Sequence, residues 1–221
     1  MSDVSVPLTL GLPKSRDRHG LTDELLLPAS SALSTQPASH IGPRVVSAPD
    51  WRADGDSVIV ALDAQSDAPP VDGGIVGYHL DIAPDQLRDV LSLDLPAPLT
   101  IFASDLDPEV TRVITAAGHS AGIAASAPID QFADFLAVVA HTDAGFVARA
   151  ADATEIVTVL AATVAALRGN DIRAAITNPD IAPVLALSPE AGAAVREVLQ
   201  GIVIDDPNAV TAELYELGLL T

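Results

Sequence analysis

The sequence contains no cysteine, which removes disulfides, thiolate metal ligands and cysteine nucleophiles together. It has one lysine, Lys14, in a polar N-terminal segment. Schiff-base chemistry needs a desolvated lysine within the fold, and no apolar run offers one, which argues against class I aldolase or dehydroquinase activity. Positive charge is scarce throughout: 11 basic residues against 30 acidic ones leave a formal charge of -19. Such a surface repels phosphate backbones and anionic lipid, so neither nucleic acid nor membrane is an expected partner, and a small-molecule substrate is. Aromatic residues are only 3% of the chain. The interior is therefore built from Ala, Val, Leu and Ile, whose small side chains let helices lie close on a parallel sheet.

Long apolar runs are missing as well. The longest, Ile156 to Leu167, is too short to span a bilayer. The opening MSDVSVPLTLGLPKSRDRHG lacks the basic start and apolar stretch of a secretory signal, and the cytoplasm is the expected compartment. No G-x-G-x-x-G opens a helix, and there is no G-x-x-x-x-G-K-[ST] or H-E-x-x-H. Gly73-Gly74 precedes a strand and reads as a turn. None of the five histidines pairs with another at metal-ligand spacing, so no metal site is expected.

What is present is a rhythm. With 49% apolar residues and a length of 221, the chain suits one domain with a sizeable core, the first 56 residues being the hardest part to organise. From Ser57 onward, short β-branched runs alternate with amphipathic stretches. Strands are predicted at Ser57 to Asp63, Ile75 to Asp81, Leu99 to Ser104, Ser120 to Ala125, Gly145 to Arg149 and Ile172 to Thr177. Helices are predicted at Asp85 to Leu91, Pro108 to Ala117, Ile129 to Ala140, Thr154 to Arg168, Ser188 to about Gln200, and Ala209 to Leu217. Asp107-Pro108, Ser188-Pro189 and Asp206-Pro207 supply the cap-then-proline start, and Gly118 and Gly169 the stops. Upstream, Val4 to Leu10 and Ile41 to Ser47 read as strands, and Leu21 to Ser34 as a helix interrupted by Pro28. Strand-helix alternation implies right-handed crossovers and a parallel sheet. About eight strands predict a TIM-like β/α barrel, partial or complete. An open doubly wound sheet is the alternative.

In such folds the carboxyl ends of the strands gather the site. His79 and Asp81 lie there, two residues apart and so on one face of a strand, as a base and its orienting partner or as a structural histidine and its neighbour. Arg149 ends another strand and can meet a phosphate or carboxylate, or pair with Asp152 or another nearby acid. Ser104 and Ser126 are polar strand ends that serve equally well as helix caps.

Two stretches resemble the luciferase-like flavin monooxygenases. The first is Leu21 to Pro49, in which a helix, Thr35 and His40-Ile41-Gly42 lead into the strand Arg44 to Ser47. The second, roughly Ala97 to Leu199, holds AAGHSAG, FVARAADATEIVTVLAATVAALRGNDIRAAI and a Pro-Glu-Ala helix. The chain is shorter than the family's usual members and resembles a shortened relative. The resemblance implies a β/α barrel, a homodimer, and FMN or a reduced deazaflavin at the carboxyl-end edge. Of the site residues, the resemblance carries over only Ser47, as a flavin contact; in the flavin-dependent reading Arg149 joins it on the flavin or its phosphate, with Ser104 and Ser126 as further cofactor contacts and His79 and Asp81 near the reacting centre. The activity implied is that of a flavin-dependent oxidoreductase or monooxygenase. The alternative is a non-catalytic barrel that has lost its site and serves in binding or assembly.

Overall fold

The computed structural model describes residues 20–29, 38–53, 55–62 and 74–220. The predicted strand Val4 to Leu10, Lys14 and Thr35 lie outside them. Eight strands are formed among the described residues: β1 (Leu26–Pro28), β2 (Arg44–Ser47), β3 (Val58–Leu62), β4 (Ile75–Ile82), β5 (Leu99–Ala103), β6 (Ser120–Ala124), β7 (Phe146–Arg149) and β8 (Leu199–Ile204). Each ladder is parallel, in the order β1-β8-β7-β6-β5-β4-β3-β2. The seam between the two ends is bridged just ahead of β2, where Leu26 pairs with Ile41. There the Leu26 N–H donates to His40 O at 3.0 Å, and the Gly42 N–H to Leu26 O at 2.8 Å. The sheet is thus a nearly closed β/α barrel of the TIM type, which decides against the open doubly wound alternative.

Helices follow the later strands. They are α1 (Leu87–Val90), α2 (Pro108–Ala116), α3 (Ile129–Val139), α4 (Ala153–Arg168), α5 (Ile172–Thr177), α6 (Ala182–Leu185), α7 (Pro189–Val198) and α8 (Pro207–Glu216). Their starts obey local chemistry. Asp107 accepts from the Val110 N–H at 2.8 Å, Ser188 from Ala191, and Asp206 from Asn208 and Ala209. α4 stops at Gly169, whose φ of 69° is left-handed. Asp107→Ala is expected to lower stability by about 1 kcal/mol, while Asp107→Asn stays near wild type, as read by urea unfolding.

Four sequence expectations are corrected. Ile172–Thr177 is a helix rather than a strand. Asp171 caps it through the Ala174 N–H at 3.0 Å, and Ile172 and Ile176, four apart, both pack on the core. The helix begun at Pro189 ends at Val198, and the six residues after it form β8. Leu21 to Ser34 is not a helix over its described part: residues 21–24 turn, and Leu26–Pro28 pairs with β8. The predicted strand Ile41 to Ser47 is narrower, Arg44–Ser47.

Alternation along the strands sorts side chains into two cores. Tyr78, Leu80, Ile101, Ile123, Ala148 and Ile202 face the helices and join the large cluster. Leu27, Val45, Ile59, Phe102, Val147 and Val203 form a second, smaller cluster, which fills the barrel's lumen. Below it, at the amino-terminal end, the Gln200 amide donates to Ala144 O at 2.8 Å and the Ser120 hydroxyl lies 2.7 Å from Gln200 Oε1. Buried His40 sets its ring edge-on against Tyr215 of α8, so that helix covers the seam. No helix among the described residues is long and apolar enough to cross a membrane.

Candidate functional site at the barrel mouth

The inward positions nearest the carboxyl ends of the strands are polar, and they make the site. In β4, the residues between Tyr78, Leu80 and Ile82 are His79 and Asp81, which therefore face the lumen. In β7 the same logic turns Arg149 inward, two residues after Val147. The two strands are separated by β5 and β6, yet the guanidinium and the carboxylate meet. Arg149 Nη1 donates to Asp81 Oδ1 at 2.7 Å and Nη2 to Oδ2 at 2.8 Å, a bidentate pair spanning the mouth. The guanidinium also lies 3.7 Å above the centroid of the Phe102 ring. Phe102 has this room because position 122 on the next strand is glycine: a Cβ there would collide with its ring.

The pair divides the mouth into two chambers that share Asp81, Ala124 and Arg149. One, of about 500 Å³, is mostly apolar and includes Ile82, Phe102, Leu106 and Ile123, with Ser104 and Gln131 at its edge. The other, of about 550 Å³, has an apolar wall of Val45, Ala61 and Val203. Its polar groups are Ser47, His79, Ser126, Glu155 and Asp205, beside the shared pair.

His79 sits at the floor of this second chamber with only 3% of its surface exposed. Its ring meets Phe102 edge-on at 5.4 Å, and its buried Nδ1 has no hydrogen-bond partner among the described residues. Burial, reinforced by the Arg149 charge and opposed by that of Asp81, pushes its pKa down to about 4. The imidazole is neutral at pH 7. No hydrogen bond joins it to Asp81, whose carboxylate is engaged by Arg149. Of the two readings given to Arg149, pairing with an acid is the one realised, but with Asp81 rather than Asp152.

All six predicted site residues therefore stand at the mouth, Ser104 on one chamber and Ser47 and Ser126 on the other. The Ser47 hydroxyl is bonded to Asp50. Sequence reasoning missed four participants. Phe102 and Gly122 read only as strand residues, Glu155 only as a first-turn helix residue. Asp205 follows β8, and its signal (the Ile-Val-Ile run ahead of Asp205-Asp206-Pro207) was open to view. No group of His, Asp and Glu suited to a metal ion occurs among the described residues.

The donor set does not fit a flavin phosphate. The second chamber sets three carboxylates, Asp81, Glu155 and Asp205, against one guanidinium that is already paired. The helix N-termini beside it, where a phosphate would find free amides, are filled from within. Asp152 accepts from the Glu155 N–H at 2.9 Å and Glu155 from the Ala151 N–H at 2.7 Å, while Asp206 occupies the start of α8. The start of α3 has no side-chain cap, but Asp130 lies in its first turn.

Fold and site define a class: a parallel β/α barrel whose carboxyl-end mouth is split by an arginine–aspartate pair over a buried neutral histidine. No protein-family model, curated protein or solved structure matches the chain, so its likeness to the luciferase-like enzymes rests on the residues quoted for it.

Proposed function

We propose that this chain is a small-molecule-binding β/α barrel whose site is the chamber above His79, and that it is not a flavin-dependent oxidoreductase. One observation carries the reading: at the carboxyl-end mouth a chamber of about 550 Å³ combines an apolar wall with convergent polar groups, with His79, 3% exposed, in its lining. The chamber is large enough for a small organic molecule and has the mixed lining such sites use, an apolar wall with a few convergent polar groups. The flavin reading and the substrate oxidation that goes with it are the rival. Charge weighs against them, since a phosphate brought beside Asp81, Glu155 and Asp205 meets like charge.

Amide correlation spectra of the labelled protein test both. Phenol, as a neutral organic probe, is expected to perturb residues 61, 79, 124, 149 and 203 saturably. FMN is expected to give neither saturable perturbation there nor a rise in melting temperature. Phenol shifts scattered evenly over the surface would overturn the mouth as the binding site. A yellow complex with a melting rise on FMN would restore the flavin reading.

A further inference from the structure

We infer that the second chamber takes a small organic cation, a protonated amine on an apolar body; the inference rests on the reading of the mouth as a binding site. The argument begins with which groups are already used. Both Arg149 Nη atoms are held by Asp81, and its guanidinium face is covered by Phe102. The Ser47 hydroxyl is used by Asp50. Glu155 spends one oxygen on the Ala151 amide. Among the described residues that line the chamber, the Asp205 carboxylate and the Ser126 hydroxyl have no hydrogen-bond partner, and they sit above the buried ring of His79.

These are acceptors, or can act as such. A carboxylate only accepts, and a hydroxyl does either. A cavity whose free groups accept is complementary to a ligand that donates, and an ammonium donates three times. Charge agrees: three carboxylates oppose one guanidinium in the lining, and the whole chain carries -19. That field concentrates cations at the mouth and repels anions. The neutrality of His79 is part of the fit, since an imidazolium at the floor would repel the ammonium. Val45, Ala61 and Val203 supply the wall for the apolar body.

The test compares three probes of one shape, hexylamine, hexanol and hexanoate, by amide spectra and melting temperature near neutral pH. Hexylamine is expected to saturate at residues 61, 79 and 205 and to raise the melting temperature, with hexanol weaker and hexanoate without effect. Asp205→Asn is expected to weaken hexylamine binding at least tenfold. Asp94→Asn, which removes an exposed carboxylate at the opposite end of the barrel, is expected to leave it unchanged. Equal or tighter binding of hexanol or hexanoate at the mouth would overturn the amine inference and leave the mouth reading standing. Equal weakening by Asp94→Asn would do the same, since diffuse surface charge would then account for the attraction. Probes that all fail to perturb the mouth would overturn both.

Discussion

Gly122→Val is expected to destabilise the barrel by about 2–3 kcal/mol, the cost typical of forcing extra methyl groups into a packed interior. For a chain of this size that lowers the melting temperature by roughly 5–10 °C. The reason is local and steric. Gly122 faces the lumen, and an added Cβ meets three atoms of the Phe102 ring at distances no side chain tolerates. Phe102 belongs to the lumen cluster with Leu27, Val45, Ile59, Val147 and Val203, so moving its ring disturbs that packing. The displacement passes upward as well, because Arg149 rests on that ring while it holds Asp81. Combining Gly122→Val with Phe102→Ala is expected to cost less than the sum of the two single changes, since alanine lacks all three ring atoms in conflict. Thermal unfolding of the single and double variants measures this. A Gly122→Val protein as stable as wild type would show that the lumen has room to spare around Phe102.

His79 is expected to make the fold sensitive to mild acid. Its pKa is about 4 in the folded chain against 6.5 for a free imidazole, so between these values the unfolded chain binds a proton that the folded chain refuses. Stability is at its full value above the unfolded pKa and falls as pH drops through the window from 6.5 to about 4. Below that window the loss is complete. The size is about 3 kcal/mol between about pH 7.5 and about pH 4, because each tenfold difference in proton affinity between the two states is worth about 1.4 kcal/mol. The acidic surface also titrates at the lower end, which is why the comparison is a difference: urea unfolding of wild type against His79→Gln. The variant is expected to lose about 3 kcal/mol less over that range, whatever its stability at neutral pH. Parallel pH profiles would mean that His79 is solvated and that the floor of the chamber is wet.

Much of this architecture is legible residue by residue, because the forces that fix it act over a few positions. Asp107, Ser188 and Asp206 start helices by bonding amides two or three residues ahead, and any reader of the sequence can find them. Ile75 to Asp81 shows its alternation, so the shared face of His79 and Asp81 follows from the period of a strand. The errors fall where local signals are ambiguous. Ile172–Thr177 contains two isoleucines and a threonine and looks like a strand, yet the spacing of Ile172 and Ile176 is helical and Asp171 caps it. β8 was hidden because it begins at the residue after α7 ends, with no turn residue between to mark the change. β1 is three residues long and closes with a proline, too short to display a period.

The sequence by itself determined the parallel β/α plan, the acidic surface and the identity of the polar residues at the strand ends, since period, composition and capping are properties of neighbours along the chain. Tertiary structure alone decided what those residues do to one another. Asp81 and Arg149 are 68 positions apart and meet because β4 and β7 face each other across a nearly closed barrel. The depth at which His79 lies, the space Gly122 leaves for Phe102, and the place of the Asp205 carboxylate in the chamber lining depend on strand register and barrel closure. Both are set by the packing of all eight strands at once, and no single segment encodes them.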